Sequence, residues 1–176
     1  MRIAVLGAGA MGLLFGGLLS RKNDVCIYGH RAEKVEEIKK NGVIIRENDG
    51  TELHLFPRAA VSGEDLREIP DVVMLFTKSL VSREVLEQNR GLFGPDTLLL
   101  TLQNGSGHEE LLREFVEESR IVIGTTRHNS VLTGNTSVLH GGSGVTSIGS
   151  AHARNTLVYI LAEEMSACGI ETSISE

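Results

Sequence analysis

The amino-acid sequence predicts an α/β fold, a doubly wound and mainly parallel sheet with antiparallel hairpins at its edges. Three observations predict it. The chain has 176 residues, and one soluble domain typically takes ~100–200, so a single core is the expectation. Short β-branched runs alternate with segments of helical period, which is the pattern of βαβ units and parallel pairing. A glycine cluster also stands directly between the first predicted strand and the first predicted helix, where a ligand-binding turn belongs.

Arg2–Leu6 reads as a buried strand and residues 10–21 as a helix with little polar face. Residues 24–28 form a second strand. Residues 32–40 follow as an amphipathic helix with Val35 and Ile38 inward, closed by Asn41-Gly42. Residues 42–46 and 51–56 flank Glu47-Asn48-Asp49-Gly50, an Asp-Gly hairpin signal that predicts an antiparallel excursion at an edge. The α/β rhythm resumes with a short helix at 63–68, a strand at 71–76, a helix at 79–89, a strand at 97–102, a helix at 107–118 and a strand at 120–123. Beyond Gly124 the composition turns to Gly, Ser, Thr and Asn. Residues 137–139 and 145–148, joined by His140-Gly141-Gly142-Ser143-Gly144, read as a glycine-turned hairpin. A helix at 153–167 ends at Cys168-Gly169, and 170–174 is a last strand, expected to lack a partner.

Composition narrows the function. Lys plus Arg number 17 against 23 Asp plus Glu, a net charge of −6, which leaves no electrostatic footprint for nucleic acid. There is no Trp and aromatics are 4%, so a base-stacking surface is also disfavoured. The uncharged stretch 3–20 resembles a leader, but Gly7, Gly9, Gly12, Gly16 and Gly17 interrupt it where a membrane span would place Leu and Ile. Cys26 and Cys168 lie far apart in apolar surroundings, and the six histidines form no metal-ligand spacing. The expectation is a reduced, cytoplasmic protein with no metal, no membrane partner and no nucleic-acid partner.

Gly7-Ala8-Gly9-Ala10-Met11-Gly12 is a GxGxxG motif. Gly7 makes the tight turn, Gly9 lets backbone approach a pyrophosphate, and Gly12 permits close helix–strand packing. The pyrophosphate would rest on free N–H groups at the positive end of the helix dipole. The fold is therefore expected to be of Rossmann type, with Gly7, Ala8, Gly9, Ala10, Met11 and Gly12 on a dinucleotide. An NAD site usually has an acid ~20 residues beyond the motif to accept from the ribose 2′-OH. Here the second strand ends Tyr28-Gly29-His30-Arg31, with no acid until Glu33. Arg31 suits a 2′-phosphate, so NADP is preferred; Glu33 keeps NAD as the lesser reading. Lys78 and Asn104 stand just past the carboxyl ends of two buried strands, the edge that faces the ligand crevice. By position alone each is equally a loop polar group or a ligand contact.

The chain resembles the ketopantoate reductases (2-dehydropantoate 2-reductases) over essentially its whole length. The resemblance is carried by the opening Ile3 to Gly12, Lys78, Gln103-Asn104-Gly105 followed by Glu109 and Glu110, Gly124-Thr125-Thr126, and His140 to Gly144 closing at Ile148-Gly149. It implies an oxidoreductase that reduces a small 2-keto acid, ketopantoate, with NADPH to give pantoate in pantothenate biosynthesis. It places Arg31 on the 2′-phosphate, Lys78 near the nicotinamide ribose, Asn104 on both cofactor and substrate, and Ser130 as a further cofactor contact. Arg127-His128-Asn129 departs from the commonest family wording.

Family members continue into an all-helical domain whose first long helix carries the general-acid lysine. The resemblance thus implies no catalytic residue in this chain, the lysine being expected beyond Glu176. It also implies a dinucleotide-binding domain at 1–170 and, at 171–176, the start of a linker or strand toward the helical domain. A homodimer or a separate helical domain is expected to cover the C-terminal edge. Lys78, His128 and His140 are the side chains here that could replace the acid. The alternative readings are a stand-alone NAD(P)-binding or sensor module without catalysis, and the cofactor half of another hydroxyacid dehydrogenase.

Overall fold

The computed structural model describes residues 1–63, 68–103 and 108–176. Its first half runs β1 (Arg2–Leu6), α1 (Ala10–Leu19), β2 (Asp24–Gly29), α2 (Ala32–Asn41), β3 (Val43–Glu47), β4 (Glu52–Leu55), β5 (Arg58–Val61) and β6 (Val72–Leu75). The second half runs α3 (Ser79–Gln88), β7 (Leu98–Thr101), α4 (His108–Arg113), β8 (Ile121–Thr126), β9 (Asn129–Leu132), β10 (Ser137–Gly142), β11 (Thr146–Ser150), α5 (Thr156–Ala167) and β12 (Thr172–Ile174).

The main sheet has eight strands in the order β12-β11-β8-β7-β6-β1-β2-β5. Read from β5, six of them follow the 3-2-1-4-5-6 order of a doubly wound dinucleotide fold, whose crevice opens at the carboxyl ends where the order reverses beside β1. All pairs in it are parallel except β11 with β8. Strand residues alternate between two buried faces. Ile3 and Val5 of β1 join the core that includes α1, whereas Ala4 and Leu6 join the opposite core with Leu86 of α3 and Leu112 of α4. Burial on both faces explains why β1, β6 and β7 read as continuous apolar runs.

A second sheet, β4-β3-β10-β9, lies against the far side of α1. A side chain at Gly17 would meet Ile45, Val43 and Leu55 of this sheet, whereas one at Gly16 would meet Ile27 of the main sheet. Helix α1 is thus clamped between two sheets and buried from Gly12 to Leu19, the physical reason it has no polar face. Among the described residues no helix is long and apolar enough to cross a membrane.

Several predicted pairings are corrected. The residues of β3 and β4 pair antiparallel as expected, but in the second sheet, not at an edge of the main one. The predicted hairpin across His140-Gly141-Gly142-Ser143-Gly144 does not form: β10 pairs with β3 and β9, and β11 with β8 and β12. The last strand is not unpaired, because Thr172–Ile174 runs parallel to β11. Strands β5 and β9 have no counterpart among the predicted elements, and α4 is shorter than the helix expected at 107–118. The short helix expected at 63–68 falls largely on residues 64–67, outside the described residues.

Candidate functional site

The three glycines of the motif differ in their surroundings. Gly7 has φ +116°, which an L side chain rarely adopts, and a Cβ there would lie 3.0 Å from the carbonyl oxygen of Phe76. Its N–H donates to the Tyr28 carbonyl at 3.0 Å, joining the turn to the end of β2. A Cβ on Gly12 would lie 1.8 Å from the Gly7 carbonyl oxygen, so the start of α1 sits directly on the turn. Gly9 is different. It caps α1 with φ −80°, no acidic residue follows in the first turn, and a Cβ there would meet nothing within 4 Å. Open space therefore lies over the first N–H groups of α1, which have no intrahelical partner.

That space belongs to a cleft of about 550 Å³ at the carboxyl ends of β1, β2 and β6. Gly7, Ala8 and Gly9 form one wall, Gly29 to Arg31 and Lys34 a second, and Phe76, Thr77, Lys78 and Val81 a third. Arg31, Lys34 and Lys78 bring positive charge, and no Asp or Glu stands among the described lining. Glu33 is exposed and outside that lining. Arg31 is the residue before α2, and its Nη2 donates to Asn135 Oδ1 at 3.5 Å, while Asn135 Nδ2 donates to Glu37 Oε1 at 3.1 Å. The turn between β9 and β10 thus reaches over to α2. Lys78 occupies the same position before α3, its carbonyl accepting from Ser82 Oγ at 3.1 Å, and Ser82 in turn bonds Thr77 at 3.0 Å.

Lys34 is the cleft cation that sequence reasoning missed. The signal was present: three residues beyond Arg31 on a helix is the same face. Burial holds its ammonium pKa below the ordinary lysine value, and the neighbouring Arg31 lowers it further.

Ala10 and Met11, in the first turn of α1, are part-buried rather than open to the cleft. The Ser130 hydroxyl donates to the Ala10 carbonyl at 2.9 Å, which ties β9 to that first turn. Asn104 lies outside the described residues. Just before it, Gln103 Oε1 is buried with no hydrogen-bond partner. Glu176 is exposed. It borders a separate hollow with His152, Tyr159 and Ile174, which shares no lining residue with the glycine cleft.

His128 and His140 are 7% and 6% exposed and pack beside α1. His140 Nδ1 bonds Glu47 Oε2 at 2.9 Å and His140 Nε2 bonds His128 Nδ1 at 2.9 Å. An ionised Glu47 only accepts, so with both imidazoles neutral His140 donates to it and accepts from His128, which leaves His128 Nε2 as a lone pair. That nitrogen is buried without a partner, and the ring packs edge-on against Phe15. Burial, then the proximity of His140, lowers the His128 pKa. The pair reads as a structural relay joining the second sheet to α1.

The family model described as Ketopantoate reductase PanE/ApbA matches residues 3–153. The 2-dehydropantoate 2-reductase of Pyrococcus horikoshii is 34% identical over 178 residues, covering 100% of this chain and 56% of that protein. Among solved structures, D-mandelate dehydrogenase with NADH and anilino(oxo)acetate superposes with TM-score 0.92 at 32% identity, covering 100% of this chain and 57% of the other. The 2-dehydropantoate 2-reductase of Geobacter metallireducens superposes with TM-score 0.89 at 29% identity, covering 99% and 58%. The chain spans a little over half the length of these relatives. With the glycine turn, the strand order and this extent of matching taken together, the chain belongs to the ketopantoate reductase family.

Proposed function

We propose that this chain is the cofactor-binding half of an NADPH-dependent 2-dehydropantoate 2-reductase, which reduces ketopantoate to pantoate. The observation that carries the reading is the cleft. It runs from open space over Gly9 to the cations of Arg31 and Lys34, with no carboxylate among its described lining. A carboxylate there would repel a 2′-phosphate, and guanidinium and ammonium groups attract it. Gly7 to Gly12 would hold the pyrophosphate on the N-terminus of α1. Lys78, at the end of β6, would stand by the nicotinamide ribose, and Asn104 would meet both cofactor and keto acid. When bound, NADPH supplies the hydride that reduces the 2-keto carbon.

The carbonyl oxygen then needs a proton from a donor within hydrogen-bond reach. His128 and His140 are engaged with each other and with Glu47, so neither is offered for that task. Lys78 is assigned to binding. The resemblance to the ketopantoate reductases assigns that donor to a lysine of the helical domain, in the part of the relatives outside the span matched here.

A second reading is favoured by one finding. The likeness to a D-mandelate dehydrogenase solved with NADH supports an NADH-dependent dehydrogenase of another 2-hydroxy acid. Fluorescence titration with NADPH and NADH separates the two. Under the first reading NADPH binds more tightly, and Arg31→Glu weakens NADPH by ~1–3 kcal/mol while leaving NADH nearly unchanged. Equal affinity for both cofactors, or equal effects of the substitution, would favour the second.

A further inference from the structure

Lys34 is poorly matched to the protein alone. It is 9% exposed, and among the described residues no carboxylate lies within ion-pair distance of its ammonium. The charge that acts on it most strongly is another cation, Arg31, one turn back at the start of α2. Glu37, one turn onward, attracts it only at longer range and accepts a hydrogen bond from Asn135. Its stem is covered while its ammonium opens on the cleft, and an ammonium with a second cation beside it and no carboxylate partner is suited to an anion supplied from outside the chain. A fold that keeps such a lysine in the wall of an open cleft has a compensating anion in view.

We propose that Lys34 is the principal specificity-determining contact for a phosphate monoester at this end of the cleft, with Arg31 as an outer, weaker partner. On the NADPH reading above, on which this inference rests, that monoester is the 2′-phosphate. The charge count agrees: a phosphate monoester carries about −1.5 to −2 at neutral pH, and Arg31 and Lys34 bring two positive charges. A ribose hydroxyl, as in NADH, satisfies neither. The ranking of the two follows from their surroundings. Arg31 is exposed, so its attraction is screened by water and salt, whereas the low exposure of Lys34 leaves its field less screened. Arg31 is also already engaged with Asn135 and must release or share that contact.

The test uses Lys34→Met, which keeps the apolar stem and removes the charge, with Lys34→Arg and Arg31→Met as companions. NADPH and NADH affinities are read by titration, and the melting temperature of each variant is read without ligand. Lys34→Met is expected to weaken NADPH by at least about tenfold, the scale of one charge-assisted hydrogen bond, with NADH changed less than about twofold. The loss should exceed that of Arg31→Met, and Lys34→Arg should restore most of it. The unliganded Lys34→Met protein should melt at or above the wild-type temperature, because a cation without an ion-pair partner and repelled by Arg31 has been removed; a structural lysine would lower it. If the wild type prefers NADPH and Lys34→Met keeps that preference, this inference fails and the NADPH reading stands. If the wild type shows no preference, both fail.

Discussion

Replacing Gly12 by alanine tests whether the glycine motif is a packing device at that position and a binding device three residues earlier. The added methyl would stand 1.8 Å from the Gly7 carbonyl oxygen and 2.9 Å from its carbon. Ordinary carbon–oxygen contacts begin near ~3.3 Å, so helix and turn must separate by roughly 1.5 Å at this point. Neither can retreat easily. The turn is held by Gly7 at φ +116°, and α1 is backed by Ile45 and Val43 of the second sheet, 3.2 and 3.3 Å from where a Gly17 Cβ would lie.

Overpacking of a well-filled core costs ~1–3 kcal/mol and occasionally more, against a gain of ~1 kcal/mol from helix propensity. Because the clash is with backbone on a clamped helix, the net loss is placed at about 3 kcal/mol. For a chain of this size that lowers the melting temperature by about 6–12 °C. Gly9→Ala is the control. Its methyl meets nothing within 4 Å and φ −80° suits alanine, so stability should hold or rise by ~0.4–1 kcal/mol while NADPH binding is lost. Calorimetry and fluorescence titration read the two effects. A Gly12→Ala protein melting within about 2 °C of wild type would refute the packing argument, and Gly9→Ala binding NADPH normally would refute the reading of the open space.

Two further outcomes are expected. Because the His128 pKa is lowered in the fold, the unfolded chain takes up the proton first. The stability tied to it is complete above about pH 6.5 and is lost as pH falls below that value; melting temperatures from pH 7.5 to 5.5 should therefore decline, less steeply in His128→Gln, and an unchanged slope in that variant would count against the relay. The carboxylates of half-buried Glu109 and exposed Glu114, held low by His152 and Arg83, act in a more acidic window below about pH 4.5 and do not overlap. Ser130→Ala removes the bond to the Ala10 carbonyl and should cost ~1 kcal/mol; if NADPH affinity also falls in titration, Ser130 is a cofactor contact, and if only the melting temperature moves, its role is to hold β9 on α1.

The stretch from β1 to α2 is legible in the sequence because everything that defines it is local. The alternation of apolar runs, the GxGxxG spacing and the closing Asn41-Gly42 all lie within a few residues of what they shape. The late glycine cluster misleads for a physical reason. Glycines commonly mark hairpin turns, but Gly144 is small because Arg127 packs there, its Cβ 2.7 Å from where a Gly144 Cβ would be. The register also shifts between His140 and Gly142 as β10 leaves its partner. Lys34 escapes notice because a lysine on an amphipathic helix ordinarily reads as surface, and burial is a property of neighbours rather than of the residue.

The sequence by itself determined the order of elements, the glycine turn and the charge at the end of β2, since these rest on local periodicity, backbone freedom and side-chain type. Only the tertiary structure decided that β3 pairs with β10 across ninety-odd residues, that α1 is held between two sheets, and that Lys34 joins Arg31 in the cleft. Those outcomes depend on which apolar faces find each other over long separations, and no local pattern encodes that choice.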